Sequence, residues 1–147
     1  MITDKIVIAS DHAGYKLKHD MIKYLDSKGI RVTDLGTDSE SSVDYPDYGH
    51  PLAEAVEKGD FNFGISICGS GNGISMTVNK HPGIRAALCW NEEIARLARY
   101  HNDANICSLP ARFIDTASAF NIIDVFLNTN FEGGRHKQRI EKIPLKT

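Results

Sequence analysis

Cysteine is scarce in this chain, and what there is does not pair. Three of the 147 residues, Cys68, Cys89 and Cys107, form an odd set with no C-x-x-C spacing. Such a set fits neither a disulfide framework nor a cysteine-based zinc site, so free thiols are expected. Long apolar runs are missing as well: nothing approaches the ~20 residues of a membrane span. The start, Met1-Ile2-Thr3-Asp4-Lys5, has neither the basic nor the apolar region of a secretory signal. A cytoplasmic location without a membrane partner is therefore expected. Cations are not in surplus either, with 17 Lys and Arg against 19 Asp and Glu for a net charge of -2. That balance argues against nucleic acid as a partner and requires any positive patch to be local. Low-complexity stretches are lacking, and the length suits one core better than two. A single domain over residues 1–147 follows.

What the chain does contain is a regular alternation of strand and helix patterns. Apolar, β-branched runs at Lys5–Ser10, Ile30–Leu35, Phe63–Cys68, Ile84–Cys89 and Ala104–Leu109 predict five strands. Helical spacing predicts helices over Tyr15–Lys28, Tyr48–Lys58, Ile74–Asn79, Glu92–Tyr100 and Thr116–Leu127. Strands that are nearly continuous in apolar residues and alternate with helices imply a buried parallel sheet. The expected class is α/β, a Rossmann-like three-layer α/β/α sandwich with a five-stranded parallel sheet. The segment from about 131 to 147 is cationic, carries little core of its own, and is expected to dock on a neighbouring subunit.

In open α/β sheets ligands bind beyond the carboxyl ends of the strands, so the residues that follow the strands carry most of the chemical interest. After the first strand come Asp11-His12-Ala13-Gly14, and the third ends in Cys68-Gly69-Ser70-Gly71-Asn72-Gly73. Glycines opening a helix present unhindered backbone N–H groups, suited to an oxyanion or a phosphate. The spacing is not the dinucleotide G-x-G-x-x-G, and no Walker lysine follows. Cys68, just before those N–H groups, is placed where a thiolate is favoured, as base or nucleophile. A thiol phosphatase would need an arginine a few residues on, where this chain has Gly73-Ile74-Ser75-Met76. Cys89 and Cys107, inside apolar strands, read as small buried hydrophobes. His101, beside Asn102 and Asp103, could exchange protons with a substrate oxygen or merely cap a helix, and His12 has the same ambiguity. Arg135 and Arg139 are four apart and would share a helical face able to clamp a phosphate, with Arg112 a third candidate.

Taken together these segments resemble the type B ribose-5-phosphate isomerases, a family that also holds galactose-6-phosphate and allose-6-phosphate isomerases. The matching motifs are Ser10-Asp11-His12-Ala13-Gly14, Asp44-Tyr45-Pro46, Cys68 to Ile74, Asn79-Lys80, Gly83-Ile84-Arg85-Ala86, His101 to Asn105 and Glu132 to His136, spread over the whole chain. The resemblance implies an aldose-ketose isomerase acting on ribose 5-phosphate and ribulose 5-phosphate in the pentose phosphate pathway. Cys68 would be the base and His101 would assist ring opening. The N–H groups from Gly69 to Gly73, including those of Gly71 and Asn72, would hold the enediolate oxygen with the Ser70 hydroxyl. Asp11 and Asn102 would bind sugar hydroxyls, Tyr45 would join the substrate site, and His12, Arg112, Arg135 and Arg139 would surround the phosphate. It further implies a dimer or tetramer with shared active sites and the strand order 2-1-3-5-4. Ser70 stands where many members have threonine. Another branch uses a glutamate as base where this chain has Ile74, which puts it in the thiol branch. An enediolate can be held by N–H donors alone, so neither metal nor cofactor is expected. A six-carbon phosphosugar, or a non-catalytic phosphate- or nucleotide-binding role, are the alternatives.

Overall fold

The computed structural model describes residues 5–145; Met1 to Asp4 and the last two residues of the expected C-terminal tail lie outside it. The chain runs β1 (Ile6–Ser10), a 3-10 turn (His12–Gly14), α1 (Tyr15–Ser27), β2 (Val32–Asp34), α2 (Pro46–Glu57) and β3 (Phe63–Cys68). It continues through α3 (Asn72–Val78), β4 (Ala86–Leu88), α4 (Glu92–Tyr100), β5 (Ile106–Pro110), α5 (Thr116–Asn128) and α6 (Arg135–Ile140). The sheet is parallel throughout, in the order β2-β1-β3-β5-β4.

Side chains alternate across a strand, and both faces of this sheet are covered. Ile6, Ile8, Ile65, Ile67, Cys107 and Leu109 face one side and pack with Met21 and Leu25 of α1, Ala95 of α4 and Ile122, Ile123 and Phe126 of α5. Val7, Ala9 and Ile106 face the other side, against Leu52, Ala53 and Val56 of α2 and Val78 of α3. Each large apolar side chain fully buried this way contributes roughly 1.5–3 kcal/mol. The three-layer expectation holds.

Differences from the sequence reading have local causes. Strands β2 and β4 are three residues each, shorter than expected, because they form the sheet edges and pair on one side only. Helix α2 starts earlier than expected because Pro46 supplies a preset first-turn φ. Helix α3 begins inside the glycine loop, where Gly71 adopts φ +76° as its N-cap. The tail is not without core: α6 forms, and its His136 is buried against the same chain.

Candidate active site

The strand order reverses direction between β1 and β3, and the crevice beyond their carboxyl ends is where this topology places ligands. Ser10 pairs with Ile67, so Asp11 and Cys68 leave the sheet side by side, and the Asp11 N–H donates to the Ile67 carbonyl at 3.2 Å. Asp11 is 6% exposed; its carboxylate accepts from the Gly14 N–H at 3.1 Å and so closes the 3-10 turn that presents His12. A Cβ at Gly14 would lie 2.7 Å from the Ile67 carbonyl oxygen, so glycine is required for this turn to sit against β3. His12 Nδ1 accepts from the Val43 N–H at 3.1 Å, which in a neutral ring puts the proton on Nε2, free to donate.

Cys68 closes β3 at 4% exposure, and the turn beyond it is anchored to the residues after β5. The Ala111 N–H donates to the Cys68 carbonyl and the Arg112 N–H to that of Gly69, both at 2.9 Å. Arg112 therefore lies over the glycine loop, its Nη1 3.3 Å from where a Gly69 Cβ would be. A Cβ at Gly71 would come 2.4 Å from Leu88 Cδ1, and one at Gly73 would come 2.5 Å from the Tyr45 ring. The loop thus needs its glycines for close approach as well as for conformation. Ser70 Oγ accepts from the Asn72 N–H at 3.2 Å. The other early N–H groups of α3 have no acceptor within the helix, the arrangement that receives an anion.

Cys68, Asp11, His12, Tyr45, Arg112 and the loop from Gly69 to Gly73 are thus gathered at one end of the sheet. His101, Asn102, Arg135 and Arg139 are not. His101 caps α4 and, with Asn102, precedes β5, whose first residue Ile106 pairs with Gly64 at the start of β3. Cys68 lies four residues further along β3, about 13 Å at the usual strand rise. The two histidine-bearing loops therefore occupy opposite ends of the sheet. Arg135 and Arg139 lie on α6, exposed, beside the His101 end.

At that second end the sequence reading missed a contact set. The rings of His101 and His136 stack at 4.3 Å, and His136 Nε2 lies 3.0 Å from the Glu132 carboxylate. Tyr100 is held above the usual phenol value first by its side-chain hydrogen bond with Glu132. The signal was present as Glu132 and His136 four apart, but a cationic tail masked it. Two other motif residues have structural work: Asn79 clamps Ala86 through both backbone atoms, and Asn105 accepts from the Arg85 N–H and donates to the Gly83 carbonyl. Cys89 and Cys107 are fully buried, and burial first, then the Cys89 contact, pushes the Cys107 thiol well up.

A family model described as Ribose/Galactose Isomerase matches residues 6–143. The chain belongs to the ribose/galactose isomerase family. Among its relatives, ribose-5-phosphate isomerase B of Escherichia coli is 43% identical over 139 residues, covering 95% of this chain and 93% of that one. The crystal structure of a ribose 5-phosphate isomerase from Thermotoga maritima superposes with a TM-score of 0.96 at 52% identity, over 97% of this chain and 99% of its own. The Mycoplasma genitalium ribose-5-phosphate isomerase B, solved with bound ribulose-5-phosphate, gives 0.92 at 43% identity, over 97% and 95%. In the present chain the switch-point crevice gathers Asp11, His12, Cys68 and Arg112. No helix among the described residues is long and apolar enough to cross a membrane.

Proposed function

We propose that the chain is an aldose-ketose isomerase interconverting D-ribose 5-phosphate and D-ribulose 5-phosphate through an enediolate, a step of the pentose phosphate pathway in the cytoplasm. The observation that carries this reading is the placement of a buried thiol, Cys68, directly before the glycine loop over which Arg112 lies. Membership of a family whose members include the ribulose-5-phosphate complex supports the substrate.

In the reaction the Cys68 thiolate takes the proton from the carbon next to the aldehyde. The electron pair moves into the new carbon–carbon double bond, and the former carbonyl oxygen becomes an oxyanion held by the Gly69 to Gly73 N–H groups and Ser70. Return of the carbon-bound proton to the former aldehyde carbon, with the hydroxyl proton of the second carbon passing to the former carbonyl oxygen, yields the ketose. Asp11 and Tyr45 line the sugar, and His12 and Arg112 hold the phosphate. Ring opening is assigned to His101, with Asn102 on a sugar hydroxyl and Arg135 and Arg139 adding positive charge. One fold keeps these four at the far end of the sheet, so they reach the Cys68 crevice from a second copy of the chain. The complete site is composite, in a homodimer or a tetramer built from such dimers.

Cys68→Ala tests the reading. Turnover of ribose 5-phosphate should fall by about 10³-fold or more, with the circular dichroism spectrum unchanged. A variant that retains near wild-type turnover would remove the thiol from the mechanism.

A further inference from the structure

The contact set at the amino end of the sheet has a property that the isomerase chemistry does not use. His101, Glu132 and His136 bring one ligating atom each to within 4.8 Å of one another. The His136 ring is 8% exposed, and its Nε2, although 3.0 Å from the Glu132 carboxylate, lacks hydrogen-bond geometry to it and has no other partner among the described residues. A buried ring nitrogen without a hydrogen bond is costly, and a metal ion would satisfy it.

We propose that His101, Glu132 and His136 form an inhibitory site for a borderline divalent transition ion, zinc being the best fit. Two imidazoles and one carboxylate make a three-ligand set that leaves a fourth position for water. Imidazole nitrogen selects zinc, nickel or copper over magnesium and calcium, which prefer all-oxygen sites. Donor atoms around tetrahedral zinc stand about 3.4 Å apart, so the widest pair must close by about 1.4 Å. His101 supplies that movement: it is only partly buried and sits at the end of α4, so its ring can splay from the near-parallel 14° stack on His136. The Glu132 N–H donates to the Tyr100 carbonyl at 2.9 Å, which fixes the backbone that carries this ligand.

The consequence for activity rests on the reading of His101 as the ring-opening group. Zinc takes the lone pair of one His101 nitrogen and pins the ring to the Glu132 and His136 cluster, so it slows turnover reversibly, and a chelator restores it.

The test is equilibrium dialysis of the full-length protein against zinc, alongside Glu132→Gln, His136→Asn and Cys68→Ser. The wild-type chain and Cys68→Ser should each bind one zinc per chain with similar affinity, while the Glu132 and His136 variants should bind about tenfold more weakly or worse. Unchanged affinity in both of those variants, or loss of binding in Cys68→Ser, would overturn the site. Cobalt substituted into the wild-type protein gives a check that needs no variant. Visible bands without a thiolate charge-transfer band support the three ligands; a thiolate band, or no bands, refutes them. Rates are then compared with each protein's own zinc-free rate. Zinc bound without loss of rate would overturn the inhibitory effect and His101's role in ring opening, whereas the zinc-free assay judges the isomerase reading by itself.

Discussion

The carboxyl end of the sheet and its amino end are built from the same strands but carry different chemical groups. At the carboxyl end backbone bonds tie the turns to one another, Asp11 to Ile67, Ala111 to Cys68 and Arg112 to Gly69, with glycines admitting neighbours at contact distance. At the amino end a backbone bond from the Glu132 N–H to the Tyr100 carbonyl at 2.9 Å joins the tail to α4, and the reactive side chains meet one another, His101 stacked on His136 with Glu132 beside it. The first end has the geometry to hold an oxyanion before any substrate arrives. The second offers titratable and cationic groups with no oxyanion loop beside them. With the roles proposed above, neither end alone has a base, an oxyanion loop and a ring-opening acid, which is why the proposed site joins one end of one copy to the other end of the next.

The division predicts unequal losses. Beyond the Cys68→Ala effect, His101→Asn should lower turnover by about 10²-fold, because proton transfer in ring opening is assisted and not created by this group. Folding and thermal midpoint should change little. An equal or larger loss than in Cys68→Ala would reverse the ranking of the two ends.

Glycine substitutions sharpen the contrast in stability. Gly71→Ala forces both a φ of +76° and a 2.4 Å approach to Leu88 on a side chain, and should cost about 2–4 kcal/mol together with much of the activity. Gly29→Ala, at the end of α1 with φ +78° and nothing within 4 Å, meets only the conformational penalty of about 1 kcal/mol and should leave turnover intact. Denaturant melts of the pair check this, and equal costs would mean that close packing around the loop is less strict than described.

The smallest effect concerns pH. Asp115 caps α5 by accepting from the Ser118 N–H at 2.7 Å, and that bond lowers its pKa below the ordinary carboxylate value. A carboxylate depressed in the folded state contributes stability above its unfolded pKa and loses it as pH falls through the folded one. Asp115→Asn keeps a cap acceptor but removes this titration, so its melting temperature should fall less between neutral and strongly acidic pH than the wild type's. A parallel fall in both proteins would show that the cap does not titrate as described.

Much of the fold was legible because the strands are buried on both faces and read as apolar runs. The edge strands were overestimated, since Ile30 and Cys89 have the right composition but no partner on the outer side to extend the ladder. The carboxyl-end site was legible for the same reason as the fold: apart from Tyr45, which caps α2, its residues follow directly on β1, β3 and β5. The amino-end set was harder. His101 drew attention by its neighbours Asn102 and Asp103, but sequence order says nothing of which end of the sheet a loop joins. Glu132 and His136 gained their meaning only when α6 turned back to pack against α4's end.

The composite site is the central claim, and complementation tests it most directly. Cys68→Ala and His101→Asn, each nearly inactive alone, are co-expressed and the mixed oligomers assayed with ribose 5-phosphate. Random pairing makes half the dimers mixed, and each mixed dimer has one intact site and one doubly altered site, so about one quarter of the wild-type rate should return. A mixture that stays at the average of its two parents' residual rates would mean that Cys68 and His101 act within one chain, or do not act together at all.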